Sequence, residues 1–83
     1  MKIQGEYVLT EIGDENVACS VGDGKPKVVT LNETGVMLWR LLEAGSTETA
    51  LAEALTQQFD VSEEQARADA AAFIANLRSH GIL

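Results

Sequence analysis

The sequence predicts an α+β domain, a three-stranded antiparallel meander followed by three helices, and three observations carry that reading. Short β-favouring runs fill residues 6–31 and are separated by two turn clusters. From residue 33 onward, apolar residues recur at three- and four-residue spacing. Helix-start and helix-stop residues fall at the boundaries of those periodic stretches.

The first strand is read from EYVLTEI, about 6–12, and the turn cluster GDEN (13–16) follows it. The second strand, VACSV (17–21), places Val17, Cys19 and Val21 on one face and Ala18 and Ser20 on the other. GDGKPK (22–27) is the second turn signal, and the third strand runs over about 27–31. Short turns joining consecutive strands imply antiparallel neighbours.

The first helix spans about 33–44, with Asn32 as N-cap, Glu33 in the first turn and Gly45 as terminator. Val36, Leu38, Trp39, Leu41 and Leu42 make its apolar sector wide, so it is expected to be the most buried helix. The second, about 47–59, starts at Ser46 or Thr47 and carries Leu51, Ala52, Leu55 and Phe59 on one stripe. The third, about 63–80, opens on a capping box, Ser62 with Gln65, and a weak staple of Val61 with Ala66. Its core stripe is read as Ala66, Ala70, Phe73 and Leu77, and Gly81 with Ile82 closes it.

Eighty-three residues make one domain, 1–83, which buries roughly 60–65% of its unfolded surface. Thirteen acids against six Lys and Arg leave a net charge of −7. That balance opposes phosphate neutralisation and so counts against nucleic acid and anionic membrane surfaces as partners. No apolar run approaches the roughly 20 residues of a membrane span, and no signal-peptide pattern opens the chain. The single Cys19 forms no internal disulfide, so a reducing, cytoplasmic setting is expected.

Catalytic groups are sparse. His80 and Cys19 do not make a zinc site by themselves; His80 is read as a helix C-terminal residue and Cys19 as a small apolar strand residue. GDGK (22–25) lacks the Walker spacing and a following helix. Ser20, Ser46, Ser62 and Ser79 are not in the Asp-Ser-Leu context of an acyl carrier. No catalytic residue, metal or cofactor is therefore expected, and the chain is read as non-enzymatic.

The third strand poses the functional question. Lys25, Pro26 and Lys27 guard its entrance, but Val28, Val29, Thr30 and Leu31 carry no charge, the usual protection of an exposed edge. An added peptide strand would satisfy its backbone groups, with side-chain pockets supplying selectivity.

LNETGVMLWRLLEAG (31–45), continued through TETALAEALTQQFDVSEEQARADAAAFIANLRSHGIL (47–83), resembles the PqqD family. The ordered series is Leu31, Asn32, Gly35, Trp39, Leu51, Ala52, Asp69, Phe73, Leu77, Gly81, Ile82 and Leu83. The resemblance implies a winged helix-turn-helix-like RiPP recognition element, which binds the leader of a ribosomally made precursor peptide. In such domains the leader adds against the third strand and packs beside the third helix. KPKVVTLN departs from many relatives in lacking aromatics before Leu-Asn.

On that reading Lys27, Val28, Val29, Thr30 and Leu31 contact the leader backbone. Arg67, Ala70, Ala71, Ile74 and Arg78 are expected on the helix side, with Ile74 and Ala71 facing apolar leader residues and Arg67, Arg78 and Lys27 meeting carboxylates. The implied partners are a leader peptide and a modifying enzyme, with a radical-SAM protein as one class. Two alternatives stand beside it: a winged-helix DNA-binding regulator reading the major groove with its third helix, and a general protein-interaction adaptor. The same edge can also pair two copies of the chain into a homodimer.

Overall fold

The computed structural model describes residues 1–83 except 23 and 25. β1 (Tyr7–Ile12), β2 (Glu15–Ser20) and β3 (Val28–Leu31) form one antiparallel sheet in that order, followed by α1 (Glu33–Ala44), α2 (Glu48–Gln58) and α3 (Glu63–Ser79). The order of elements is the one expected from the sequence.

β2 starts two residues earlier than expected, because pairing continues down to Ile12 opposite Glu15. The turn therefore shrinks to Gly13 and Asp14. Gly13 has φ 63 while Asp14 keeps a negative φ, the φ pattern of a type II′ hairpin turn, in which glycine suits the first central position. In the second turn cluster, Lys25 as an edge guard and the complete GDGK turn lie outside the described residues. The β2–β3 ladder ends at Lys27, where Ser20 N donates to Lys27 O (2.9 Å) and Lys27 N donates to Ser20 Oγ (2.7 Å).

Each helix begins on a side-chain cap. Asn32 Oδ1 accepts from Gly35 N, Thr47 Oγ1 from Ala50 N and Ser62 Oγ from Gln65 N. Only half of the capping box forms, since the Gln65 side chain donates to Asp69 Oδ1 instead of turning back. α3 ends in a full Schellman motif: Ile82 N donates to Leu77 O and Gly81 N to Arg78 O, with Gly81 at φ 71 and Ile82 buried.

Alternation along the sheet divides the strands cleanly. Leu9, Ala18, Val29 and Leu31 face the helices, while Val8, Val17, Cys19 and Val28 face away. Between the helix side of the sheet and the three helices lies the core, built around Trp39, Leu38, Leu42, Leu51 and Leu77. Tyr7 meets Trp39 edge-to-face, with ring centroids 5.1 Å apart.

The N-terminal residues form part of this core, which periodicity did not suggest. Ile3 is buried, its N–H donates to Leu42 O, and Gln4 N donates to Ile82 O. Residues 1–4 thus tie the end of α1 to the end of α3. Among the described residues, no helix is long and apolar enough to cross a membrane, and no cluster of His, Cys, Asp or Glu is placed to hold a metal ion.

Candidate functional site

β3 is an edge strand, and the sheet register says which of its backbone groups are open. Antiparallel pairs alternate between those that exchange hydrogen bonds and those that do not. The Ser20–Lys27 pair is bonded, so the Ala18–Val29 and Asn16–Leu31 pairs are bonded as well. The N–H and C=O groups of Val28 and Thr30 therefore point away from β2. Among the described residues, no backbone bond of the chain's own reaches them. Their side chains are exposed, while Val29 and Leu31 are buried at 6% and 4% exposure. The four apolar-strand residues grouped by the sequence thus split into an open pair and a core pair.

α3 lies alongside this strand. At one end, Lys27 Nζ donates to the carbonyl of Gly81, at 3.1 Å, just past the last turn of α3. A cation there also suits the negative end of the helix. At the other end, the Phe73 ring reaches the corner where β3 runs into α1. A Cβ placed on Gly35 would lie 3.4 Å from both Phe73 Cε1 and Leu31 Cδ2, and 3.2 Å from the capping oxygen of Asn32. Glycine at 35 is what lets these three groups converge. Residues 73–81 of a helix span roughly 12 Å, and residues 27–31 of a strand roughly 13 Å. The two contacts therefore set residues 73–81, at the end of α3, antiparallel to β3.

The helix flank beside β3 is not the one expected. Ala70 and Ile74 are both in the core, at 0% and 3% exposure, and Phe73 is only half-buried. Ile74 and Phe73 exchange the places assigned to them from periodicity. Ala66, Ala70, Ile74 and Leu77 make the buried stripe. Helical spacing then puts Asp69, Phe73, Asn76 and His80 on one flank and Arg67, Ala71 and Arg78 on the other.

The second flank turns to different neighbours. Arg67 pairs with Glu63 and borders a groove shared with α2, lined also by Glu48, Ala52 and Val61. Arg78 Nη2 contacts Met1 Sδ, at 3.5 Å. Ala71 is exposed. The structure thus does not gather Arg67, Arg78 and Lys27 into one basic cluster; each meets a different part of the chain. On the first flank, Asp69 accepts from Gln65 and His80 Nδ1 lies 2.8 Å from Asn76 O. Sequence reasoning placed Phe73 in the core and did not consider Asp69, Asn76 or His80 as wall residues. The signal available was the Lys27-to-Gly81 juxtaposition, which needs tertiary structure to see.

The resulting arrangement can do one thing well. It offers two residues of unpaired strand backbone, a half-exposed aromatic and a polar helix flank to an extended chain.

Comparison with known proteins agrees with this architecture. The chain superimposes on TbiB1 in complex with the TbiA(beta) leader peptide with a TM-score of 0.79, at 26% identity, covering 100% of this chain and 94% of that one. It matches a lasso peptide synthetase B1 complexed with the leader peptide with a TM-score of 0.76, at 22% identity, covering 98% and 93%. No curated protein matches the chain. Residues 6–83 match the family of coenzyme PQQ synthesis protein D (PqqD), and the chain belongs to that family.

Proposed function

We propose that this chain is a RiPP recognition element. It binds the leader of a ribosomally made precursor peptide as a fourth strand and presents it to a modifying enzyme, of which a radical-SAM protein is one class, in the cytoplasm. The chain itself performs no chemistry. The observation that carries the reading is the open backbone of Val28 and Thr30 lying beside the Phe73 flank of α3. The leader-peptide complex of TbiB1, which shares the fold at 26% identity, supports it.

A strand added at this edge gains backbone bonds at Val28 and Thr30. An apolar leader residue then packs on Phe73, and polar leader groups meet Asp69, Asn76 and Lys27. Each net hydrogen bond contributes about 1 kcal/mol, so the loss of any one of them is expected to weaken the leader by about fivefold.

The test is a fluorescence anisotropy titration with a labelled synthetic leader, taken from a candidate short precursor sought among the genes neighbouring the one for this chain. Saturable binding, with loss of signal on competition by unlabelled leader, is expected. No binding at about 100 μM leader, a weak affinity by any measure of strand addition, sinks the proposal. Salt-dependent binding of a labelled DNA duplex would instead favour the regulator reading.

A further inference from the structure

We propose that the face of the sheet turned away from the helices is the docking surface for the modifying enzyme, and that it takes an apolar surface rimmed by Lys and Arg. This rests on the leader-binding reading above and adds a second, separate surface to it. Among the described residues the exposed large hydrophobics are Met1, Val8, Ile12, Val21 and Val28, and all but Met1 lie on this face. Val8, Ile12, Val21 and Val28 are 52%, 61%, 53% and 57% exposed. Between them sits Val17, buried at 8% yet outside the core cluster, shielded within this face rather than by the helices. Cys19 is half-buried in the same patch. Thr10 and Thr30 flank Val17 on the same face, so the apolar side chains form a Val8–Cys19–Val28 row with Val21 beyond it and Ile12 apart at the other end. Exposed apolar side chains clustered on a small domain mark an interaction surface.

Charge points to the partner. Of the two charged residues within the three strands, Glu15 lies on this face and Glu11 lies on the helix side with Leu9. Glu15 pairs with Ile12 at one end of the patch; at the other, Val21 N donates to the backbone carbonyl of Glu6, whose neighbour in the same hollow is Lys2. The whole chain carries −7. A second copy would bring the same acids to the same face, whereas a basic-rimmed partner complements them.

Position points the same way. Val28 belongs to both surfaces: its side chain lies on this face and its backbone on the open edge. A leader strand added beside it would continue the face, so an enzyme docked there would meet the bound peptide without displacing it.

The test uses a candidate modifying enzyme, sought among the genes neighbouring the one for this chain and purified without precursor, as the probe in an interferometry binding assay. Val8→Lys with Val21→Lys changes two residues that are more than half exposed. The double variant is expected to bind the enzyme about tenfold more weakly while its leader affinity stays within about twofold of the parent. Ile12→Lys, at the far end of the patch, repeats the measurement independently. Enzyme binding unchanged in both variants overturns the proposal and leaves the leader reading standing. A parent chain that binds enzyme but no leader overturns the leader reading, while loss of enzyme binding in the variants still supports this face. Sedimentation showing a dimer that Val8→Lys dissolves would make a second copy the occupant and also overturn the proposal.

Discussion

β1 and β3 are both edges of the same sheet, and each leaves a row of backbone groups unpaired by β2. On β1 the register turns Tyr7, Leu9 and Glu11 outward; on β3 it turns Val28 and Thr30. β1 is the longer, six residues against four. Counting open groups alone would choose β1 as the docking edge. What separates the two is their surroundings. The open row of β1 includes Glu11, a charge of the kind that discourages strand pairing, whereas β3 carries no charge at all. β3 also has a second wall: α3 runs along it from the Lys27–Gly81 contact to the Phe73–Leu31 corner. An open strand gives affinity to any extended peptide. A helix flank beside it is what makes one peptide bind better than another.

The largest effect should come from breaking one edge while sparing the other. Thr30→Pro removes an outward N–H and leaves the bonds of Val29 and Leu31 to β2 in place, because proline is tolerated where an edge N–H faces solvent. It also puts a ring where the leader backbone must approach. Leader affinity is expected to fall at least about tenfold. Glu11→Pro makes the equivalent change on β1 and should leave affinity within about twofold. Anisotropy titrations of the two variants, with thermal melts as folding controls, decide it. Equal losses, or a larger loss for Glu11→Pro, would move the docking edge to β1.

Phe73→Ala tests the wall rather than the edge. The ring is half-buried, so its removal also costs stability, less than the roughly 3–5 kcal/mol of a fully buried Phe. Affinity should drop by about three- to tenfold at temperatures where melts show the variant folded. The proper comparison is Ala71→Ser on the opposite flank, which should change neither quantity. If Ala71→Ser weakens the leader and Phe73→Ala does not, the peptide lies on the other side of α3.

These contrasts also show where the sequence was informative. Caps were legible because they are local chemistry: Asn32, Ser62 and Gly81 each meet partners within a few residues of themselves. Strand order was legible because the turns are short. The rotation of α3 was not. Its stripe is built mostly of alanines, with Ala66, Ala70, Ala71 and Ala72 all available, and small residues fix the centre of an apolar sector poorly. Phe73 and Ile74 are neighbours that point about 100° apart, so one choice between them moves the whole flank. Tertiary packing made that choice by burying the isoleucine. The N-terminal residues were illegible for another reason. Ile3 sits alone in a polar stretch, and only its bond to Leu42 near the end of α1 shows it to be core.

The smallest effects fall on the basic residues, and they sharpen the comparison most cheaply. Arg67 and Arg78 sit on the flank turned from β3, one paired with Glu63 and the other against Met1. Exposed charges of this kind contribute about 0–1 kcal/mol each, so Arg67→Glu, which sets a like charge beside Glu63, and Arg78→Glu, which puts an acid at the negative end of α3, should lower the melting temperature by only a few degrees. If they leave leader affinity unchanged, the β3-side flank is the one in use. Lys27 differs from both, since its ammonium closes the groove at the end of α3. Lys27→Met keeps the stem and loses the ammonium, with its bond to Gly81 and its contact with polar leader groups. A loss of about two- to threefold in leader affinity is expected from a looser groove end. Should Arg67→Glu weaken the leader more than Lys27→Met does, the peptide must extend past β3 toward the groove that Arg67 shares with Glu48 and Val61 on the α2 side.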